Sequence, residues 1–279
     1  MPALAEFSHQ LAELIPKVGH SEFPDSLVLL FKQLVPINDA TILVYPGTDL
    51  PIVEYFEIPE DAVQSKLPIF VKGAFLLDPY YLAVTRDKKF GFFRMRELAP
   101  TGFKESEYYK IWYRNCGYQD ECGYLIPISG SGFINISLGR TENRSRFSKS
   151  QLNILAAIRP TIEILCQQHW AESGSASGGV NLRAQLHAAL NAFGSSLLTD
   201  REAQVINLVL HGHSTKTVAE KLSISMETVK LHRKHAYAKL EISSQAELFY
   251  LFLDSVMSAN DYQSGDTLIA YMQPPPRKT

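Results

Sequence analysis

Long apolar runs are missing from this 279-residue chain: none approaches the ~18–20 residues that a membrane helix needs, so no membrane partner is expected. Cysteine is scarce. Cys116, Cys122 and Cys166 form an odd, sparse set that cannot build a disulfide framework, and a reducing cytoplasm is the expected setting. Cys116 and Cys122 lack zinc-ligand spacing and no His pair completes them, so no metal is expected. An excess of one charge is also missing. The 27 Lys+Arg stand against 29 Asp+Glu for a net charge of −2, which excludes general coating of nucleic acid but not a local basic surface. The N-terminal "MPALAEFSHQLAELIPK" lacks the basic start and apolar core of a signal peptide. Its Leu4, Phe7, Leu11, Leu14 and Ile15 recur at helical spacing. No phosphate-binding glycine loop appears, and "SGSGF" lacks the G-x-S-x-G spacing and reads as a hairpin turn. No catalytic residue, cofactor or enzymatic activity is expected.

What is present is a globular composition, long enough for two domains. The break falls at "AESGSASGGV", where small polar residues replace an apolar pattern. The expected layout is an α+β domain over 1–170, a linker over 171–196, a helical domain over 197–257 and a patternless tail over 258–279. In the first domain "ATILVY" and "PIVEYFEI" suggest a β-hairpin, and "DECGYLIPIS" with "GFINISLGR" a second. "FSKSQLNILAAIRPTIEILCQQHW" reads as a long helix with a Ser148/Gln151 capping box and a kink or break at Pro160. An antiparallel sheet with flanking helices resembles GAF- or PAS-like sensors.

Local signals after Leu197 are dense. Thr199 and Glu202 make a capping box, Gly212 suits a left-handed stop, Ser225 caps a third helix, and Ser244 with Glu247 starts a fourth. Four short helices with a tight turn between the second and third describe a helix-turn-helix. On a helical wheel Val229, Ala236 and Leu240 of the third helix face inward, while Glu227, Leu231, Lys234 and Ala238 lie opposite, flanked by Lys230 and His235. Cationic groups around one apolar contact suit phosphates, guanine edges and a thymine methyl in a major groove, so double-stranded DNA is the expected partner.

Residues 198–248 resemble the LuxR-type helix-turn-helix of bacterial transcription regulators. Leu198, Thr199, Arg201, Glu202, Gly212, Ser214, Lys216, Ala219, Leu222, Ile224 and Ser225 carry the resemblance, with Thr228, Val229, Lys230, His232, Lys239 and Leu240. It implies an all-α four-helix domain in which Lys230, Leu231 and Lys234 meet DNA with Thr228 nearby; Arg233 and Lys216 are further expected DNA contacts. Ala236 replaces a larger aliphatic, implying looser packing, and Glu241 replaces a common glycine, implying a differently shaped turn. The fourth helix, "SQAELFYLFLDSVM", has surplus apolar residues; Leu248, Leu251 and Phe252 are expected to point away from its own core and to form a homodimer contact. RNA polymerase is a further partner if the protein activates transcription.

The first domain is then expected to sense a small-molecule effector. A phosphoryl receiver is excluded because the acidic cluster after an early strand is missing. An acyl-homoserine-lactone receptor is the alternative: "LLDPYY" resembles its Asp-Pro, but Ser65 and Ile69 stand where that family has Trp and Tyr. A protein-docking role without a small ligand is the other alternative. Among the many aromatics between Tyr55 and Tyr124, the candidate ligand residues are Tyr55, Phe70, Asp78, Tyr81 and Trp112.

Overall fold

The computed structural model describes residues 2–47, 49–57, 70–71, 73–111, 113–141, 146–171, 182–257 and 265–272. Trp112 and the Ser/Gly stretch over 172–180 lie outside them. The chain forms two compact units. The first gathers residues 1–65, 79–98 and 116–180; the second gathers 66–78, 99–115 and 181–279.

The first unit is built on a five-stranded antiparallel sheet of order β2-β1-β5-β4-β3. β1 (Asp39–Tyr45) and β2 (Ile52–Phe56) form the first expected hairpin; β4 (Asp120–Pro127) and β5 (Phe133–Arg140) form the second. β3 (Gly91–Arg94), pairing with β4, has no counterpart in the sequence reading. α1 (Pro2–Leu14), α2 (Phe23–Leu34) and α6 (Lys149–His169) accompany the sheet. Two short helices, α3 (Pro79–Thr85) and α4 (Met95–Leu98), flank β3 in sequence. The Ser148/Gln151 capping box is made, and of the kink or break expected at Pro160 the break does not occur, since α6 continues through it.

Strand alternation sorts the sheet into two faces. Ile42, Val44, Cys122, Tyr124, Ile126, Ile134, Ile136 and Leu138 form one core with Phe23, Leu27 and Phe31 of α2 and Leu155, Ile158 and Ile162 of α6. The opposite face carries Leu43 and Tyr45 of β1, Phe133, Asn135 and Ser137 of β5, and Glu121, Gly123 and Leu125 of β4. It too is mostly buried, so the strands are covered on both sides. Gly123 sits where a Cβ would come within 2.1 Å of the Ile136 carbonyl oxygen.

The second unit contains α7 (Leu182–Ala192) and the expected four helices, α8 (Asp200–Leu210), α9 (Thr215–Leu222), α10 (Met226–Lys239) and α11 (Gln245–Met257). The apolar stripe of α7 is used here: Leu186, Ala189, Leu190 and Phe193 are buried. Residues 267–272, placed by the sequence within a patternless tail, form α12 instead. Leu268 is fully buried, and Asp266 accepts the Gly194 and Ser196 N–H groups, each at 2.8 Å, which fastens this part of the chain. The short helix α5 (Glu107–Ile111) also belongs to this unit.

Candidate functional site: a helix-turn-helix nucleic-acid interface

Each helix of the motif starts on a side-chain cap. Thr199 and Glu202 close a full capping box on α8; Ser214 accepts from Thr217 N–H on α9, and Ser225 from Thr228 N–H on α10. On α11 Ser244 accepts from Glu247 N–H, but the Glu247 carboxylate reaches Ser243 rather than Ser244. Gly212 stops α8 in the left-handed conformation at φ +78. Glu241 adopts φ +56 after α10, so the turn keeps a glycine-like backbone and carries the strain of a side chain there; the expected change of shape does not occur. Ala236 is fully buried.

One ion pair locks the motif. Lys239 Nζ donates to Glu202 Oε2 at 2.6 Å, joining the end of α10 to the start of α8. The same oxygen accepts the Thr199 N–H at 2.8 Å. Burial pushes the Glu202 carboxyl up, but Lys239 and Thr199 together outweigh it and hold it below the ordinary range.

With α10 fixed on this side, its other side is presented outward. Val229 and Ala236 are buried against the motif, and Leu240 beyond the helix end is buried with them. Lys230, Leu231 and Lys234 are exposed, and Leu231 is half-exposed to water at 50 % despite its apolar side chain. Lys230 pairs with Glu227 at 2.7 Å, and Thr228 Oγ1 lies 2.8 Å from Ser225 Oγ. Arg233 is half-buried towards Tyr237, whose hydroxyl burial pushes up in pKa while Arg233 opposes the shift. Lys216 projects from α9 with Glu220 as a loose partner at 4.0 Å. The six residues expected to meet DNA thus divide: Lys230, Leu231, Lys234 and Lys216 are open, and Thr228 and Arg233 are half-buried beside them.

The apolar surplus of α11 has a different fate from the one expected. Leu248 and Phe252 are fully buried within the unit and Leu251 is half-buried. Phe252 meets Phe193 edge-to-face at 5.7 Å, and α11 packs on α5, α7 and α12. The stripe was expected to need a partner because it carries more apolar residues than one small core uses; contact with residues before the linker or with the tail was the alternative, and α5 and α12 are such residues.

Of the candidate ligand residues, Tyr55 and Tyr81 lie on opposite faces of the sheet in the first unit. Tyr55 pairs with Ile42 on the α2 side of the sheet and donates to Glu57 at 2.6 Å; burial, then Glu57, pushes its phenol up. Tyr81 lies over the opposite face, with ring centroids 5.3 Å from Tyr45 and 6.0 Å from Phe133. Phe70 and Asp78 belong to the second unit, where Asp78 accepts the Tyr108 hydroxyl at 2.6 Å. Trp112 lies outside the described residues.

The sequence reading missed a polar set on the Tyr81 side. Asn135 and Ser137 of β5 and Glu121 of β4 are all buried there. Asn135 Oδ1 is buried and accepts no hydrogen bond among the described residues. Asp39, on the same face, is pushed up to about 6 by burial, against the Tyr118 hydroxyl that donates to it at 2.6 Å. No group of three or more His, Cys, Asp or Glu able to hold a metal occurs among the described residues, and none of their helices is long and apolar enough to cross a membrane. A cavity of about 580 Å³ lies in the second unit between α7, α8 and α9, away from the exposed face of α10.

Comparison with known proteins agrees with this geometry. Residues 196–252 match the family described as "Bacterial regulatory proteins, luxR family". A protein of Aeromonas salmonicida, named as an HTH-type transcriptional regulator in the exeN 3′ region, is 33 % identical over 189 residues, 65 % of this chain and 96 % of that protein. The oxygen regulatory protein NreC of Staphylococcus haemolyticus is 38 % identical over 52 residues, 19 % of this chain and 24 % of that protein. Among solved structures, the VqsR LBD domain of Pseudomonas aeruginosa shares the fold at a TM-score of 0.50 and 23 % identity, over 58 % of this chain and 94 % of that one. The chain belongs to the LuxR family of bacterial regulatory proteins, and it is a DNA-binding transcriptional regulator.

Proposed function

We propose that the protein reads double-stranded DNA through Lys230, Leu231 and Lys234 of α10, with Thr228, Arg233 and Lys216 at the margins. It works in the cytoplasm, without catalysing a reaction, and a pair of chains spans two half-sites. The exposure of a basic face with Leu231 at its centre, opposite buried Val229 and Ala236, carries this reading. Lys234→Ala should weaken operator binding by about 1–3 kcal/mol if the ammonium meets a base edge, and by less if it meets phosphate alone. Fluorescence anisotropy at fixed salt measures this. Unchanged affinity in a folded variant removes α10 as the reading helix.

The first unit is proposed to bind a small, mostly apolar metabolite on the Tyr81 side of the sheet. Tyr45, Tyr81 and Phe133 supply an aromatic wall, and the unsatisfied Asn135 amide supplies one directional polar contact. A ligand at a hundred times its dissociation constant stabilises its host by about 2.7 kcal/mol, enough to see in a melting screen of metabolites. Asn135→Leu should abolish that shift while leaving the melting of the free protein within a few degrees. A shift with acyl-homoserine lactones alone would instead identify a lactone receptor. A co-purifying host protein with no melting shift would identify a docking module.

A further inference from the structure

The cavity of about 580 Å³ between α7, α8 and α9 takes no part in the reading of DNA through α10. Its volume falls within the range of small-molecule sites. The floor is apolar. Leu190, in the last turn of α7, and Phe193, just beyond it, line the cavity together with Ile206 and Leu210 of α8. All four are exposed by 5 % or less. Phe193 is held edge-to-face by Phe252 at 5.7 Å, which fixes this side of the floor.

The rim is polar and rich in donors. Gln204 Oε1 accepts from Arg201 Nη1 at 2.9 Å, so the N–H groups are the part of that amide still to be used. Lys221, at the end of α9, brings an ammonium to the same rim and enters no ion pair among the described residues. Its neighbour Glu220 pairs loosely with Lys216 at 4.0 Å. No Asp or Glu is among the described residues that line the cavity. An apolar floor with a cation and amide donors at its mouth is complementary to an apolar chain that ends in an anion. A chain that ends in an amine meets a like charge there.

We propose that this cavity binds a small amphiphilic carboxylate, with its chain against Leu190, Phe193 and Ile206 and its carboxylate at Lys221 and the Gln204 amide. Burial of the chain supplies most of the affinity, and the exposed ion pair supplies the preference for an anion. The site lies wholly in the second unit and is separate from the Tyr81 side of the sheet, so it stands whether or not a metabolite binds there. Lys221 comes two residues before Ser223, whose φ of +54 makes the left-handed turn between α9 and α10. An occupant therefore joins α7, which follows the Ser/Gly stretch in sequence, to the first two helices of the motif, close to the turn that leads into the reading helix.

Calorimetric titration of decanoate into the full chain at low salt tests this. Binding with a dissociation constant of about 1 mM or tighter is expected. Decylamine, with the same chain and the opposite charge, should bind more weakly by about fivefold or more. Lys221 is exposed, so Lys221→Gln keeps the fold, and it should weaken decanoate about fivefold. Ala203 lines the cavity, and Ala203→Phe should fill it and weaken decanoate by about tenfold or more. Asn135→Leu, in the first unit, should leave the titration unchanged. Absence of decanoate binding to the full chain overturns the proposal, as does binding that Lys221→Gln leaves unaltered. Equal binding of decylamine overturns the carboxylate class. Binding lost in Asn135→Leu places decanoate on the sheet and overturns the cavity as its site. Should Ala203→Phe fail to fold, the Lys221→Gln, decylamine and Asn135→Leu titrations decide the matter alone.

Discussion

Arg94→Ala should destabilise the first unit by about 3–5 kcal/mol in equilibrium denaturation, because it leaves a buried carboxylate without its cation. Arg94 Nη2 donates to both oxygens of Asp120, at 3.0 and 2.8 Å, and the two side chains are only 10 % and 9 % exposed. Asp120 Oδ2 also accepts the Phe147 N–H at 3.0 Å, so the carboxylate joins β3, β4 and the chain entering α6. A well-packed neutral pair costs far less than half an ion pair. Arg94→Met combined with Asp120→Asn keeps an acceptor for Phe147 and should recover more than half of the loss. A single-variant effect below about 1 kcal/mol would show that water reaches Asp120 freely.

Phe252→Ala should cost a similar amount, about 3–5 kcal/mol, by opening a void in the second unit. The ring is fully buried and meets Phe193 edge-to-face, so truncation removes both apolar burial and an aromatic contact. Leu251, one residue earlier and half-buried, should cost well under half as much when cut to Ala. The pair of variants separates two accounts of α11. A residue of the unit's own core changes the melting temperature at every protein concentration. A residue at a contact between chains changes self-association and leaves the dilute protein's melting unaltered.

Legibility differed between the two units for a physical reason. Helix caps are local: Thr199 and Glu202, or Ser148 and Gln151, lie three residues apart and need no tertiary partner to be read. The two hairpins were legible because each pairs neighbours in sequence. β3 was not, because "GFFR" is four residues long and becomes a strand only by pairing with β4, some thirty residues later. The ligand candidates Tyr55 and Tyr81 fell on opposite sides of the sheet because aromatic content says nothing about which side of a sheet a residue takes. Tyr55 and Phe56 are adjacent and point to opposite faces. Asn135 was missed for the converse reason. The alternation Ile134, Asn135, Ile136, Ser137 looks like one apolar and one solvated face, whereas here both are covered. The alternation itself was the available signal, since buried Asn and Ser on one face mark a wall that needs polar company.

The Lys239–Glu202 pair has a consequence for how the protein would respond to electrolyte. Each lysine or arginine that neutralises a phosphate displaces condensed counterion, and steepens the fall of affinity with salt by a little under one logarithmic unit per contact. Lys239 cannot take part without abandoning the start of α8, and Lys230 must first leave Glu227. Arg233 and Lys234 enter no ion pair among the described residues. The ions expelled from a duplex would therefore number fewer than the basic residues on this helix, leaving discrimination between sequences to the contacts of Leu231 and its neighbours rather than to bulk attraction.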